Sequence, residues 1–582
     1  MRLEPHLDGL AARALREAAG APDDAPALLR PTQDPSFGDY QINGAMALAK
    51  RLGRKPRELA GPVAEALARE DAIASAEIAG PGFINLRLDD DWLAARMTED
   101  LRQVERVGVP PVPSPEKVVV DFSSPNIAKQ MHVGHLRSTI IGDAICRLLR
   151  FAGHEVVGDN HIGDWGTQFG LLIVGMREWG SDEALEREPI VELERVYKLA
   201  SERAKQDGGF AERARQELSK LQAGDPENRA LWERFVGETR KTLDEIYGRL
   251  GVRFDEWLGE SAYEHMLPAV IQLLLHRGVA REDQGAICIF WNELPGAPKE
   301  LAKQKEPFIV RKRDGAFLYS TTDIATLLYR RDHFRADRSV YVVDTRQSLH
   351  FRQLFAVARM LDVDMRLDHV GFGTVLGPDG RPLRTRDTHG NVITLKSLLD
   401  EAEQRAAALM HEEGMDRGDL DVESVARAVG IGAVKYADLR QNRTSDYKFE
   451  WDKMISFKGN AGPYMQYAHA RVRSIFRRGA VDAGDVHGGA SIILGEAAER
   501  DLARRLVRFA DVVHDAAETY QPHLVCDHLY ALARAFSVFF ESCPVLRAEP
   551  TTRDSRLGLA ALTAAQLKKG LELLGIEALD RM

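Results

Sequence analysis

The sequence predicts a multidomain α/β plus all-α protein. A central domain on an open parallel sheet carries an insertion; an α+β domain precedes it and a helical bundle follows. Three observations lead there. The 582 residues exceed what one core organises. A strand–helix–strand pattern begins directly after a proline-rich segment near residue 110. The C-terminal third carries long helical periodicities and almost no strand signal. The boundaries drawn are 1–109, 116–400 with a helical insertion over about 173–290, and 401–582.

In the first domain, EIAGPGFINLRL (77–88) reads as strand–turn–strand around Gly80, Pro81 and Gly82, and DDWLAARMTEDLRQV as the next helix. PPVPSPEK (110–117) is the linker. EKVVVDF then reads as a short buried strand, LRSTIIGDAICRLLRFAGH (136–154) as a broadly apolar helix, and EVVGDN (155–160) as another strand. Such a βαβ unit belongs to a Rossmann-like sheet. Charged helical segments such as LERVYKLASERAKQD interrupt it from about 173 to 260. The sheet is expected to resume at FIVRKRDGAFLYS (308–320), continue in SVYVVD (339–344) and add GFGTVLGPDGRPLRTR (371–386).

Composition is that of an ordinary soluble globular chain, 44% hydrophobic and 29% charged. The apolar runs are short of a membrane span, and Met1 opens a polar stretch without a signal-peptide core, so a cytoplasmic location is expected. Cys146, Cys288, Cys526 and Cys543 lie far apart, which favours reduced thiols over a structural zinc site. Net charge is −10, but phosphate contacts need only a local basic stripe.

The chemistry concentrates in SSPNIAKQMHVGHLRS (123–138), at the carboxyl end of the first parallel strand, where open α/β sheets bind ligands. The helix after it starts near Gly134 and His135 and offers free N–H groups to an anion. His132 and His135 flank Gly134, which lets a phosphate approach the backbone. Two plainer readings compete: a metal pair, though metalloprotease helices space their histidines four apart and add a glutamate, and a simple helix cap.

HVGH after a first strand resembles the HIGH signature of class I aminoacyl-tRNA synthetases, and SSPNIAKQMHVGHLRSTIIGDAI resembles that of arginyl-tRNA synthetases. HIGDWGTQFG (161–170), YSTTDIA (319–325), DTRQSLHFRQ (344–353), GNAGPYMQYAHARVRSIF (459–476), FGDYQINGAMALAKRLG (37–53) and LTAAQLKKGLELLGIEALDRM at the end extend the likeness along the whole chain. The resemblance implies ligation of L-arginine to its tRNA through an arginyl-adenylate, with ATP and Mg2+ as the cofactor call, no protein-held metal, no membrane partner and a monomer. It places the nucleotide at His132, Gly134 and His135, with His350 near the adenine or ribose. Asp121, Ser124, Asn126, Tyr319, Asp323 and Gln347 would surround the arginine, Asp323 taking the guanidinium. Ser320 and Asp323 also form an S-x-x-D pattern that would cap a helix. The family's second signature, KMSKS, falls here on GPDGRPLRTRDTHG (377–390), which contains no lysine. Arg384 and Arg386 are the candidates there, with Lys129 supplying the missing ammonium.

The helical pattern at 462–478 predicts a buried face of Met465, Ala468, Val472, Ile475 and Phe476, with Tyr464, Tyr467, Arg471 and Arg478 along an adjacent stripe. Aromatic rings beside arginines suit unstacked bases. The resemblance makes 401–582 an anticodon-binding domain, using Tyr464, Tyr467, Arg471 and the terminal Met582. It makes 1–109 a domain for the tRNA corner, through Phe37, Tyr40, Gln41 and Asn43.

Overall fold

The computed structural model describes residues 1–32, 34–377, 379–383, 394–415, 421–482, 484, 486 and 490–582. Its central sheet is wholly parallel, in the order Arg366–His369, Arg338–Tyr341, Lys117–Asp121, Glu155–Asp159. Val118, Val119 and Val120 are fully buried, as a strand covered on both faces requires. The chain leaves Lys117–Asp121 in one direction towards Glu155–Asp159 and later returns on its other side as Arg338–Tyr341. The crevice between the loops after these two central strands is therefore the topological switch point, where such sheets bind ligands.

The crossover helix Val133–Ala152 begins three residues before the apolar run at 136, because His132 caps it. It lies close on the sheet: a Cβ at Gly142 would stand 2.3 Å from Phe122 Cβ, so a side chain there would force the helix away.

Five helices, from Thr167–Trp179 to Pro226–Leu250, form the first part of the insertion around Phe169, Leu172, Leu193, Val196 and Phe235. The expectation of a helical insertion to about 290 needs correction. Arg281–Asp283, Ala286–Ile289 and Phe308–Arg311 form a separate antiparallel sheet. Phe308–Arg311 does not rejoin the parallel sheet, and its burial alternates: Phe308 and Val310 face inwards while Ile309 is 41% exposed. An all-apolar FIV run hides that alternation from the sequence. The segment 371–386 is corrected too. Val375–Leu376 pairs with Tyr447–Lys448 in a two-stranded ribbon, and the sheet's fourth strand is instead the polar RLDH of Arg366–His369, an edge strand.

The N-terminal domain is an antiparallel sheet ordered Leu29–Pro31, Tyr40–Ile42, Phe83–Leu88, Ile73–Ala79, packed with the helices Leu3–Ala19 and Pro56–Leu67. In the C-terminal bundle the last helix, Pro550–Leu573, is buried almost all round from Ser555 to Leu567. Its centrality explains why the helix lacks a polar face. The N-terminal domain rests on this bundle through Arg2–Asp515 (2.8 Å) and Arg504–Asp39 (2.9 Å). All four cysteines are buried and free. Among the described residues no helix is long and apolar enough to cross a membrane.

Candidate active site and RNA-facing surface

The loop after Lys117–Asp121 holds three non-glycine residues in the left-handed region: Ser123 (φ +73°), Ser124 (φ +49°) and Ala128 (φ +61°). Each such residue costs about 1–3 kcal/mol and persists only where its surroundings enforce it. Here Ser123 N–H donates to Ser138 Oγ (2.9 Å), and its hydroxyl bonds Thr139 Oγ1 (2.8 Å) and Tyr247 Oη (2.7 Å). Ser124 N–H donates to Asn160 Oδ1 (3.1 Å). Tyr247 comes from the last insertion helix, so the insertion braces the loop.

The loop delivers two histidines in a reciprocal cap. Gly134 N–H donates to His132 Nδ1 (3.0 Å), and His132 N–H donates to His135 Nδ1 (3.2 Å). With both Nδ1 atoms accepting, each neutral ring carries its proton on Nε2, leaving two N–H donors at the helix start. The rings lie 4.2 Å apart. Burial, then the Lys129 charge, lowers the pKa of His132; burial, the His132 ring and Lys129 push His135 to about 4. Both are therefore neutral donors at neutral pH. A Cβ at Gly134 would stand 2.7 Å from His132 Cε1, so the folded-over imidazole requires glycine there. The two Nδ1 atoms are thus spent on the helix cap, the His132 ring on the backbone of Gly134 and the His135 ring on that of His132.

Arg137, one turn of chain further on, is 2% exposed. It donates to Gly373 O (2.6 Å), pairs with Asp438 (3.1 Å) and lies between the rings of Phe372 and Tyr447. Leu395 N–H donates to Met131 O (2.8 Å). Both roots of the arginine-bearing segment are thereby tied to the histidine loop. Between them, Gly377 N–H donates to Arg381 O (2.8 Å) and Gly380 N–H to Gly377 O (2.9 Å). Arg384 and Arg386 lie outside the described residues, and Lys129 is exposed.

Among the residues that the resemblance assigns to the arginine, Asp323 Oδ2 lies 2.6 Å from His350 Nε2, and the Tyr319 ring lies 5.0 Å from that imidazole. Asp323 does not complete an S-x-x-D cap: Ser320 Oγ instead donates to Ile309 O (2.7 Å). His350, associated by sequence with the nucleotide, has Asp323, Tyr319, Phe308 and Phe351 as neighbours. Tyr319 is 61% exposed, and Gln347 and Asn126 are also exposed. Asp121 departs from expectation. It is 6% exposed, with one oxygen accepting from Ser124 Oγ (3.0 Å) and the other from Arg330 (2.7 Å). Arg330, fully buried, also donates to Asp159 (2.8 Å). Asp121, Asp159 and His161 could group around a cation, but the guanidinium already supplies that charge.

Glu260 was not legible in the sequence. Burial raises its pKa to about 7, His161 opposes this, and Asp164 and Asp323 add to it. A second carboxylate thus stands close enough to Asp323 to be felt electrostatically. Asp164 itself accepts from Ser261 N–H (2.9 Å) and Oγ (2.6 Å), and Trp165 packs edge-on against Trp232 at 5.7 Å.

In the helix Gly462–Gly479, Met465, Val472, Ile475 and Phe476 are buried as expected, whereas Ala468 is only partly covered. Gln466 and His469 are buried instead and bind the tail through Glu577 O (2.9 Å) and Leu579 O (3.0 Å). Tyr464, Tyr467 and Arg471 form a half-buried stripe, Tyr464 lying 6.1 Å from Tyr530 and Arg471 5.2 Å above Phe540. Met582 and Phe457 both pack against the cluster of Ala406, Met410 and Val429, and the Phe457 ring lies 6.3 Å from Tyr467. In the N-terminal domain Phe37 is 55% exposed, Gln41 donates to Asn85 (2.9 Å), and Asn43 precedes the helix Gly44–Leu52 without capping it through its side chain.

Residues 99–451 match the family described as tRNA synthetases class I (R), catalytic domain. Sheet, switch-point loop and histidine cap together define a class I aminoacyl-tRNA synthetase. Residues 6–88 match the arginyl tRNA synthetase N terminal domain and residues 465–582 the DALR anticodon binding domain. The chain belongs to the arginyl-tRNA synthetase family. It is 47% identical over 572 residues to the arginine–tRNA ligase of Alcanivorax borkumensis, covering 96% of each chain, and 45% identical to that of Chromobacterium violaceum, covering 97% of each. Solved arginyl-tRNA synthetases from Plasmodium falciparum (TM-score 0.83, 27% identity, 99% of each chain) and Thermus thermophilus (0.81, 26%, 100% of each) share the fold.

Proposed function

We propose that the chain joins L-arginine to ATP as arginyl-adenylate and then transfers the arginyl group to the 3′ end of its tRNA. The observation that supports this is that two opposite electrostatic groups follow neighbouring parallel strands: the neutral N–H donors of the histidine cap after Lys117–Asp121, and His350 with its partner Asp323 after Arg338–Tyr341. The Nε2–H groups of His132 and His135 hold the phosphates as charge builds during adenylation, each donor being typically worth about 2.7–4 kcal/mol. Gly134 lets the α-phosphate reach the backbone, and Lys129 with Arg384 and Arg386 neutralises the leaving pyrophosphate. Mg2+ arrives on the phosphates of ATP.

Asp323 receives the guanidinium under the lid of Tyr319, and Glu260 supplies a second carboxylate, a geometry that favours a planar fork over an ammonium. Asn126, Ser124 and Gln347 hold the α-amino and carboxylate end, and Asp121 anchors Ser124 rather than meeting the substrate. His350 orients Asp323. Tyr464, Tyr467, Arg471 and Met582 bind the anticodon loop; Phe37, Gln41 and Asn43 bind the tRNA corner. The domains at 1–109 and 401–582 serve these two ends of the RNA, and the enzyme works as a cytoplasmic monomer.

Charging assays with each amino acid, with and without total tRNA, test the reading. Arginine alone should be attached, and arginine-dependent pyrophosphate exchange should require tRNA. Attachment of another amino acid would overturn the assignment.

A further inference from the structure

A cavity of about 540 Å³ opens between the N-terminal domain and the bundle, away from the catalytic sheet. Five arginines line it against two aspartates. Arg504 is consumed by Asp39 and Asp90, and Arg508 lies 3.8 Å from Glu4. Arg87, Arg505 and Arg534 are exposed and have no carboxylate partner among the described residues. Tyr40 also lines the cavity; it is 2% exposed and its hydroxyl has no partner. A buried tyrosine hydroxyl normally finds one, so this wall carries a spare hydrogen-bonding group beside the guanidinium groups of Arg505 and Arg534, which have no hydrogen-bond partner among the described residues.

The cavity is also the middle of a longer path. Tyr530, Arg534 and Val538 recur every four residues along the helix His523–Ser542, forming one stripe. Tyr530 meets Tyr464 at 6.1 Å, the Arg534 guanidinium lies 5.9 Å from the Tyr530 ring, and Arg534 and Val538 line the cavity, Val538 being 59% exposed. On the opposite wall Arg87 donates to Ser36 O (3.0 Å), next to exposed Phe37. Resting on the tRNA-ligase reading, we infer that this cavity binds backbone phosphates of the tRNA segment between anticodon arm and corner, joining the two end patches into one RNA track. Arginine forks, an apolar shelf and a spare hydroxyl match a phosphodiester strand, and the stripe runs on from the tyrosines of Gly462–Gly479 to the exposed Phe37 of the N-terminal domain.

The test is binding of an arginine tRNA transcript to the full-length chain across salt. Replacing Arg505→Gln with Arg534→Gln should lower the slope of log affinity against log salt by about 1.5–2. The Arg505→Lys with Arg534→Lys variant keeps both charges and should retain the wild-type slope, separating phosphate contact from misfolding. Tyr40→Phe should weaken binding several-fold with the slope unchanged, because it removes no charge. An isolated anticodon stem–loop, too short to reach the cavity, should bind all variants alike. An unchanged slope in the glutamine variant, full-strength binding by Tyr40→Phe, or an equal loss for the stem–loop would overturn the track. Wild-type enzyme that neither binds nor charges tRNA would instead overturn the function itself.

Discussion

His350 Nε2 stands 2.6 Å from Asp323 Oδ2, so the acid assigned to the guanidinium has an internal partner before any substrate arrives. The imidazole engages one carboxylate oxygen, and on the proposed reading the other meets the arginine. Asp323→Asn should therefore raise KM for arginine about 100-fold or more, the loss of a charge-assisted contact, while KM for ATP stays within about twofold. His350→Ala should raise the arginine KM by roughly tenfold through lost orientation. A rise in the ATP KM instead would return His350 to the nucleotide side, where the sequence alone had placed it.

Glu260 gives the arginine site a pH signature. Burial, reinforced by the neighbouring acids, raises its pKa to about 7, so in the free enzyme it loses its charge as pH falls through neutrality. Arginine binds better to the ionised form. Arginine affinity should thus decline from pH 8 to 6, and Glu260→Gln should be weaker throughout and flat over that range. Calorimetric titration at several pH values reads this directly; a wild-type affinity independent of pH would remove Glu260 from the pocket.

The histidine pair makes the opposite statement. Both pKa values are lowered, His135 to about 4, so His135 keeps its neutral form between pH 6.5 and 8, and burial biases His132 the same way. Adenylate formation should show no ionisation of His135 in that window. His135→Ala should lower its rate about 100-fold with little change in the arginine KM, since the donor acts where charge develops. The depressed pKa also carries a stability consequence. An imidazole held neutral stabilises the fold fully above pH 6.5, and that contribution is lost as pH falls towards about 4.

Arg330 holds Asp121 and Asp159 together beneath the site, and all three are buried. Arg330→Met leaves two acids unpaired. It should destabilise the catalytic domain by about 3–5 kcal/mol, read as an earlier urea midpoint. An unchanged midpoint would mean that the pair contributes little.

The sequence carried most clearly what is contiguous. The histidine loop, its strand and its helix lie within some forty residues, and the loop's place at the carboxyl end of a parallel strand follows from strand–helix–strand order alone. Glu260, Arg330 and Tyr247 were not visible because each acts on residues far from it in the chain. Asp121 misled for the same reason: its position suggests a ligand, but Arg330, 209 positions away, claims it. The edge strand RLDH is too polar to announce itself, and FIVR too apolar to reveal which sheet it joins. Gln466 and His469 look like the polar side of their helix, yet the C-terminal tail covers them.

The most direct measurement is a crystal structure with a non-hydrolysable arginyl-adenylate analogue. The account predicts its phosphate oxygens within hydrogen-bonding distance of Nε2 of His132 and His135, and its guanidinium on the free oxygen of Asp323. An analogue bound with its phosphate away from both imidazoles, or with its guanidinium away from Asp323, would contradict it.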